Sequence, residues 1–195
     1  MARAKSVQSK YYTAIGKIAS GWAHYELVIN HAIWELAGVE QSAGACITAQ
    51  IMSPTNRLRA LVSLVRFRGA SKAAIDKING LSGTMNDIAE KRNRYVHDAS
   101  MVNVETGEFK QLRITADRTL RFEFSDVTIT ELKQLEERIS KLIHETAVAI
   151  QDALDELPPY EKRQFELSQG IRPDRRQVPR ILKRARQRQR QSSAR

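Results

Sequence analysis

Eight residues, Tyr11, Ile15, Ile18, Trp22, Tyr25, Ile29, Ala32 and Leu36, recur at alternating steps of four and three. At 3.6 residues per turn this spacing keeps one apolar stripe on one helical face for roughly seven turns. A stripe of that length has to be covered by other apolar faces, which limits the chain to architectures of packed helices. Gly38 predicts where the helix stops. A second stripe follows Thr128-x-x-Glu131, the pattern of a capping box, and uses Leu132, Leu135, Ile139, Leu142, Ala149 and Ala153. Thr146 takes its single step that is not apolar, and Pro158-Pro159 ends it. Both stripes are unusually long, so any part that one copy leaves uncovered is expected to be buried in a dimer.

Between them, Ser53-Pro54 supplies an N-cap and a proline for the first helical turn. The helix starting there uses Leu58, Leu61, Val62 and Val65 and ends near Gly69. The preceding stretch, residues 41–52, fits either a short helix or an irregular segment. Another helix is predicted from about Ser71 to His97 with Ile75, Ile78, Met85, Ile88 and Val96 inward, and Gly80 and Gly83 predict a kink or break in it. After His97 the period changes to two. Leu112 and Ile114 stand on one side of the turn Ala116-Asp117-Arg118-Thr119, and Leu120, Phe122 and Phe124 on the other. This predicts two or three short antiparallel strands over residues 101–125. The expected fold is therefore all-α: an antiparallel helical bundle over residues 1–160, with a small antiparallel β insertion before the last long helix.

Charge separates this body from the C-terminal segment. Residues 171–195 hold ten Lys/Arg against the single Asp174, a net +9 out of the chain's +10, which leaves +1 for residues 1–170. Residues 161–195 read as a basic tail, disordered when free, with room for one short helix near 160–170. A near-neutral body with a basic tail implies an anionic partner, nucleic acid ahead of a membrane surface. Arg175, Arg176, Arg180, Lys183, Arg184, Arg186, Arg188 and Arg190 would contact phosphates without reading sequence. One cysteine, Cys46, excludes an intrachain disulfide, and the N-terminal segment has no apolar run behind its charges. The expectation is a cytoplasmic protein with no membrane span.

The stretch AEKRNRYVHD, residues 89–98, carries the chemistry. On a helix Asn93 and His97 share a face, and Arg92 lies about 140° from His97, within reach of a long side chain. Histidine both takes and gives a proton near neutrality, and arginine's planar fork binds phosphate while staying charged. The plain alternative is that Lys91, Arg92, Arg94 and His97 complement the dipole at a helix C-terminus. No HExxH, calcium-loop or Cys/His cluster is present, so neither a metal nor a cofactor is expected. His24 and Glu26 on the first helix, with Lys91, Arg94 and Asp98, are the further residues expected to line a cleft. His31 and Glu35 read as a surface pair, Trp22, Tyr25 and Trp34 as core or interface, and His144 and Cys46 as incidental.

The order Arg92-Asn93-x-x-x-His97, late in an amphipathic helix of a helical bundle, resembles the HEPN domain, whose ribonuclease members carry an R-x4–6-H motif. The resemblance covers roughly residues 6–157. It implies metal-independent RNA cleavage by a homodimer in which two motifs face one cleft, leaving 2′,3′-cyclic phosphate and 5′-hydroxyl ends. His97 would be the general acid/base, Arg92 would stabilise the charged transition state, and Asn93 would orient the phosphate or the histidine. It also implies a toxin or defence effector with an antitoxin partner. Some members have a tyrosine two residues after the histidine that a partner enzyme modifies; here Asp98-Ala99 come next, so that pairing is not implied. Members without catalysis suggest the other reading, an RNA-binding or assembly module acting through dimerisation and the tail.

Overall fold

The first stripe forms α1 (Ala2–Ala37) in the computed structural model, which describes residues 2–103, 106, 108–116 and 119–158. From Ile18 to Leu36 the whole stripe is buried, and Tyr11 and Ile15 are half-buried at its start. Gly38 stops the helix by taking φ 63°, a conformation that costs glycine little and other residues more. The second stripe forms the 27-residue helix Ile129–Asp155, capped as its sequence predicts. Thr128 Oγ1 accepts from the Glu131 amide at 3.1 Å, and the Glu131 carboxylate accepts from the Thr128 amide at 2.7 Å. The two helices pack face to face, so close at Gly21 that an added Cβ would stand 3.2 Å from Ile139. The long stripes are thus covered within one chain: the large apolar residues exposed on these helices are Tyr12, Leu27 and Val148, none of which belongs to a stripe.

Short helices complete the core. α2 (Gln41–Thr48) resolves the open reading of residues 41–52 as a helix, and its Gly44 lies flat against the Trp34 ring, where a Cβ would overlap it. Trp34 Nε1 donates to Thr48 Oγ1 at 3.1 Å, which satisfies the indole as it is buried. α3 (Pro54–Arg68) starts on the Ser53 cap and ends at Gly69, φ 89°. The predicted helix 71–97 is two helices, α4 (Lys72–Gly80) and α5 (Ser82–His97), broken at Leu81 between the two glycines. The final helix Ile129–Asp155 is α6. Arg68 spans the end of the body, donating to the carbonyls of Leu36 at 3.1 Å and Pro158 at 2.8 Å.

Three strands, β1 (Ala99–Val102), β2 (Phe109–Thr115) and β3 (Arg121–Asp126), form an antiparallel sheet in the order β1-β2-β3. β1 begins two residues before the predicted 101. The register pairs Leu112 with Ala99 and Phe124, and Ile114 with Phe122. Phe109 and Gln111 face the helices and are buried; Phe109 stacks on Tyr11 with ring centroids 4.3 Å apart and planes at 6°. The alternate face, with Met101, Ile114, Phe122 and Phe124, is exposed. The described residues fall in one unit, Met1–Tyr160, and the basic tail, Glu161–Arg195, lies outside them. Among the described residues no helix is long and apolar enough to cross a membrane.

Candidate functional site

α5 is fixed from both sides before it reaches the motif. Met85 and Ile88 are fully buried and seat its inner face, while Thr55 Oγ1 on α3 donates to Asn86 Oδ1 at 3.0 Å. Asp87 takes Arg138 of α6 at 2.6 Å and Lys91 at 3.4 Å. The Arg138 hydrogen bond, aided by the Lys91 charge, holds the Asp87 carboxyl below the usual carboxylate range. These contacts set the rotation of the helix, and therefore the direction in which its last two turns present Arg92, Asn93 and His97.

The end of α5 is tied to the sheet at one atom. The Arg94 carbonyl, in the last turn of the helix, accepts the Asp98 amide at 3.0 Å in the helical pattern and, in addition, the side-chain amide Nε2 of the buried Gln111 at 2.9 Å. Asp98 is already extended (φ −75°, ψ 145°), and it alone separates the end of α5 at His97 from the start of β1 at Ala99. Gln111 was not among the residues expected to shape the site. Its signal was a polar residue on the same strand face as Phe109, and no spacing rule relates it to residue 94. Tyr95, half-buried beside this joint, has its hydroxyl pKa raised by burial and by the Glu131 charge.

Arg92, Asn93 and His97 come together. Arg92 Nη1 donates to Asn93 Oδ1 at 2.9 Å and stands 3.4 Å from His97 Nε2. The 140° offset on the helical wheel is therefore bridged by the arginine side chain. An arginine only donates, so this contact is a hydrogen bond in the tautomer that leaves Nε2 unprotonated. Arg92 Nε is buried without a hydrogen-bond partner among the described residues, so the guanidinium keeps unused donor capacity at this place. Asn93 and His97 are exposed. Lys91 and Arg94 are held differently, each by a carboxylate one turn earlier, Asp87 and Glu90 respectively. Complementing the helix dipole accounts for those two cations; it does not account for Arg92 folding back onto the imidazole.

The remaining candidates are dispersed. Glu26 accepts from Trp22 Nε1 at 3.2 Å and pairs with Arg57 at 2.8 Å, so its carboxylate cross-links α1 and α3. His24 is exposed on α1, and Asp98 is the half-buried C-cap of α5. His31 lies against Trp34, with ring centroids 4.6 Å apart. The arginines and lysine at 175–190 lie outside the described residues. A shallow hollow of about 380 Å³ between α4 and α6, lined by Lys77, Leu81, His144, Glu145, Val148 and Ala149, includes none of the motif. Among the described residues no group of three His, Cys, Asp or Glu side chains could hold a metal ion. No family model, curated protein or solved structure matches this chain.

Proposed function

We propose that the chain is a ribonuclease of HEPN type that cleaves RNA without a metal, with Arg92, Asn93 and His97 as its site. The observation that carries this reading is the convergence of Arg92 on Asn93 and on His97 Nε2 at the pinned end of α5. With Arg92 turned to the phosphate, an unprotonated Nε2 takes the proton of a ribose 2′-hydroxyl, and that oxygen attacks the adjacent phosphorus. The P–O5′ bond breaks, the departing oxygen receives the proton that His97 took up, and the strand ends as a 2′,3′-cyclic phosphate and a 5′-hydroxyl. Arg92 stabilises the extra negative charge on the phosphoryl oxygens in the transition state, and Asn93 holds the guanidinium in place. Pairing of two copies would set two such motifs on one RNA, and the cytoplasm is the compartment proposed.

A second reading has the charge distribution in its favour: with +9 in residues 171–195 and +1 in the rest, the tail alone can retain RNA and the body can serve assembly. Labelled RNA incubated in chelator with wild type, Arg92→Ala and His97→Ala separates the two. Cyclic-phosphate ends from wild type only, with a loss of about 10²–10⁴ in rate for His97→Ala, support catalysis. Undiminished cleavage in both variants rules out the site. RNA retention that truncation after Gly170 abolishes, without cleavage by any form, establishes the second reading.

A further inference from the structure

The antiparallel register determines which side chains share each face of the sheet. Residues directly opposite one another share a face and alternate along each strand. Met101, Leu112, Ile114, Phe122 and Phe124 are therefore on one face, and Leu120 continues it before β3. Met101 is 47% exposed, Ile114 56%, Leu120 64%, Phe122 62% and Phe124 57%. With large side chains of about 150–250 Å² each, these five put an apolar patch on the order of 500 Å² in water. That is near the upper end of what a monomer carries and about two-thirds of the roughly 800 Å² per partner in a standard interface.

We propose that this face is a self-association surface, on which the sheet of a second copy packs face to face about a two-fold axis. Three observations select that occupant. The area is close to what a stable pair needs once the polar rim is added, and a two-fold brings each patch onto its own equivalent. The one lysine on this face, Lys110, is already paired with Asp126 at 3.5 Å and with Glu108 at 4.0 Å, so covering the face strands no lone cation. The near-neutral body offers little repulsion to a second copy. Edge-to-edge pairing of β3 would instead join two apolar patches into a larger one still in water. Single-stranded RNA stacking on Phe122 and Phe124 is opposed by charge, because residues 98–126 hold six carboxylates and four cations.

The face is built from the sheet alone and owes nothing to the chemistry of the motif. Sedimentation velocity of the full chain, from low to high micromolar concentration, reads its association directly. The expected result is a monomer–dimer equilibrium that Phe122→Glu/Phe124→Glu weakens roughly tenfold or more. Ile114→Lys, a single change on the neighbouring strand, should do the same if the double variant fails to fold. His97→Ala should leave association unchanged, so loss of cleavage and loss of pairing are read separately. A wild type that stays monomeric at every concentration overturns the proposal, as does a dimer that both phenylalanine and isoleucine variants leave intact. A monomer that retains single-stranded RNA only with Phe122 and Phe124 present also overturns it and makes RNA the occupant.

Discussion

The α1–α6 seam and the β sheet are both built from regular apolar alternation, yet one is covered and the other is not. Along the seam each stripe meets the other inside a single chain, down to Gly21 against Ile139. On the sheet the face that turns to the helices carries Phe109 and Gln111, while the alternation of Ile114, Phe122 and Phe124 looks outward. Periodicity therefore reports which residues share a face; whether the chain itself covers that face depends on what lies above it. In the sequence, the long helices were where any uncovered apolar surface was expected. The surplus is on the three short strands.

Substitutions in the two regions should separate stability from association. Leu142→Ala in the seam, where Leu142 is 1% exposed, should lower unfolding free energy by about 2–5 kcal/mol, read as a reduced denaturant midpoint. Tyr25 should give a smaller effect, visible only in alkali. Its hydroxyl is pushed up to about 12 chiefly by burial, against a weaker opposing influence of Thr146 and a further rise from Glu26. The folded state thus holds the proton more tightly than the unfolded one. This contribution is fully present below about pH 10 and declines as pH rises toward 12, amounting to roughly 2–3 kcal/mol across that window. Denaturant midpoints between pH 8 and 11 should fall less steeply for Tyr25→Phe than for wild type. Phe122→Ser should shift monomer stability least, by about 0.5 kcal/mol or less in dilute protein. A large loss there would mean that the outward face matters to the fold itself.

Much of the helical layout was legible because its signals are local. Ser53-Pro54, Gly38, Gly69 and the Thr128–Glu131 box each act within a few residues and are found where predicted. The pair of glycines at 80 and 83 announced a discontinuity, and the chain makes it a full break at Leu81. The candidate site was legible in part. Spacing put Asn93 and His97 on one face, but the Arg92–His97 contact depends on the arginine rotamer, which no sequence pattern specifies. The partner of Glu26 was not legible for a related reason: Arg57 is distant in sequence, and only packing of α1 on α3 brings the two together. The orientation of the sheet was not legible at all, because period-two alternation is the same whichever face looks inward.

The Gln111 hydrogen bond to the Arg94 carbonyl has a consequence for how the end of α5 opens. Terminal helical turns ordinarily fray first, which shows as fast amide exchange. Here the last turn is stitched to a residue 17 positions further on, so fraying has to break a part-buried contact and release the chain between them. Amides near His97 should then exchange at the same pace as those of β2, and the motif and the sheet would open as one unit.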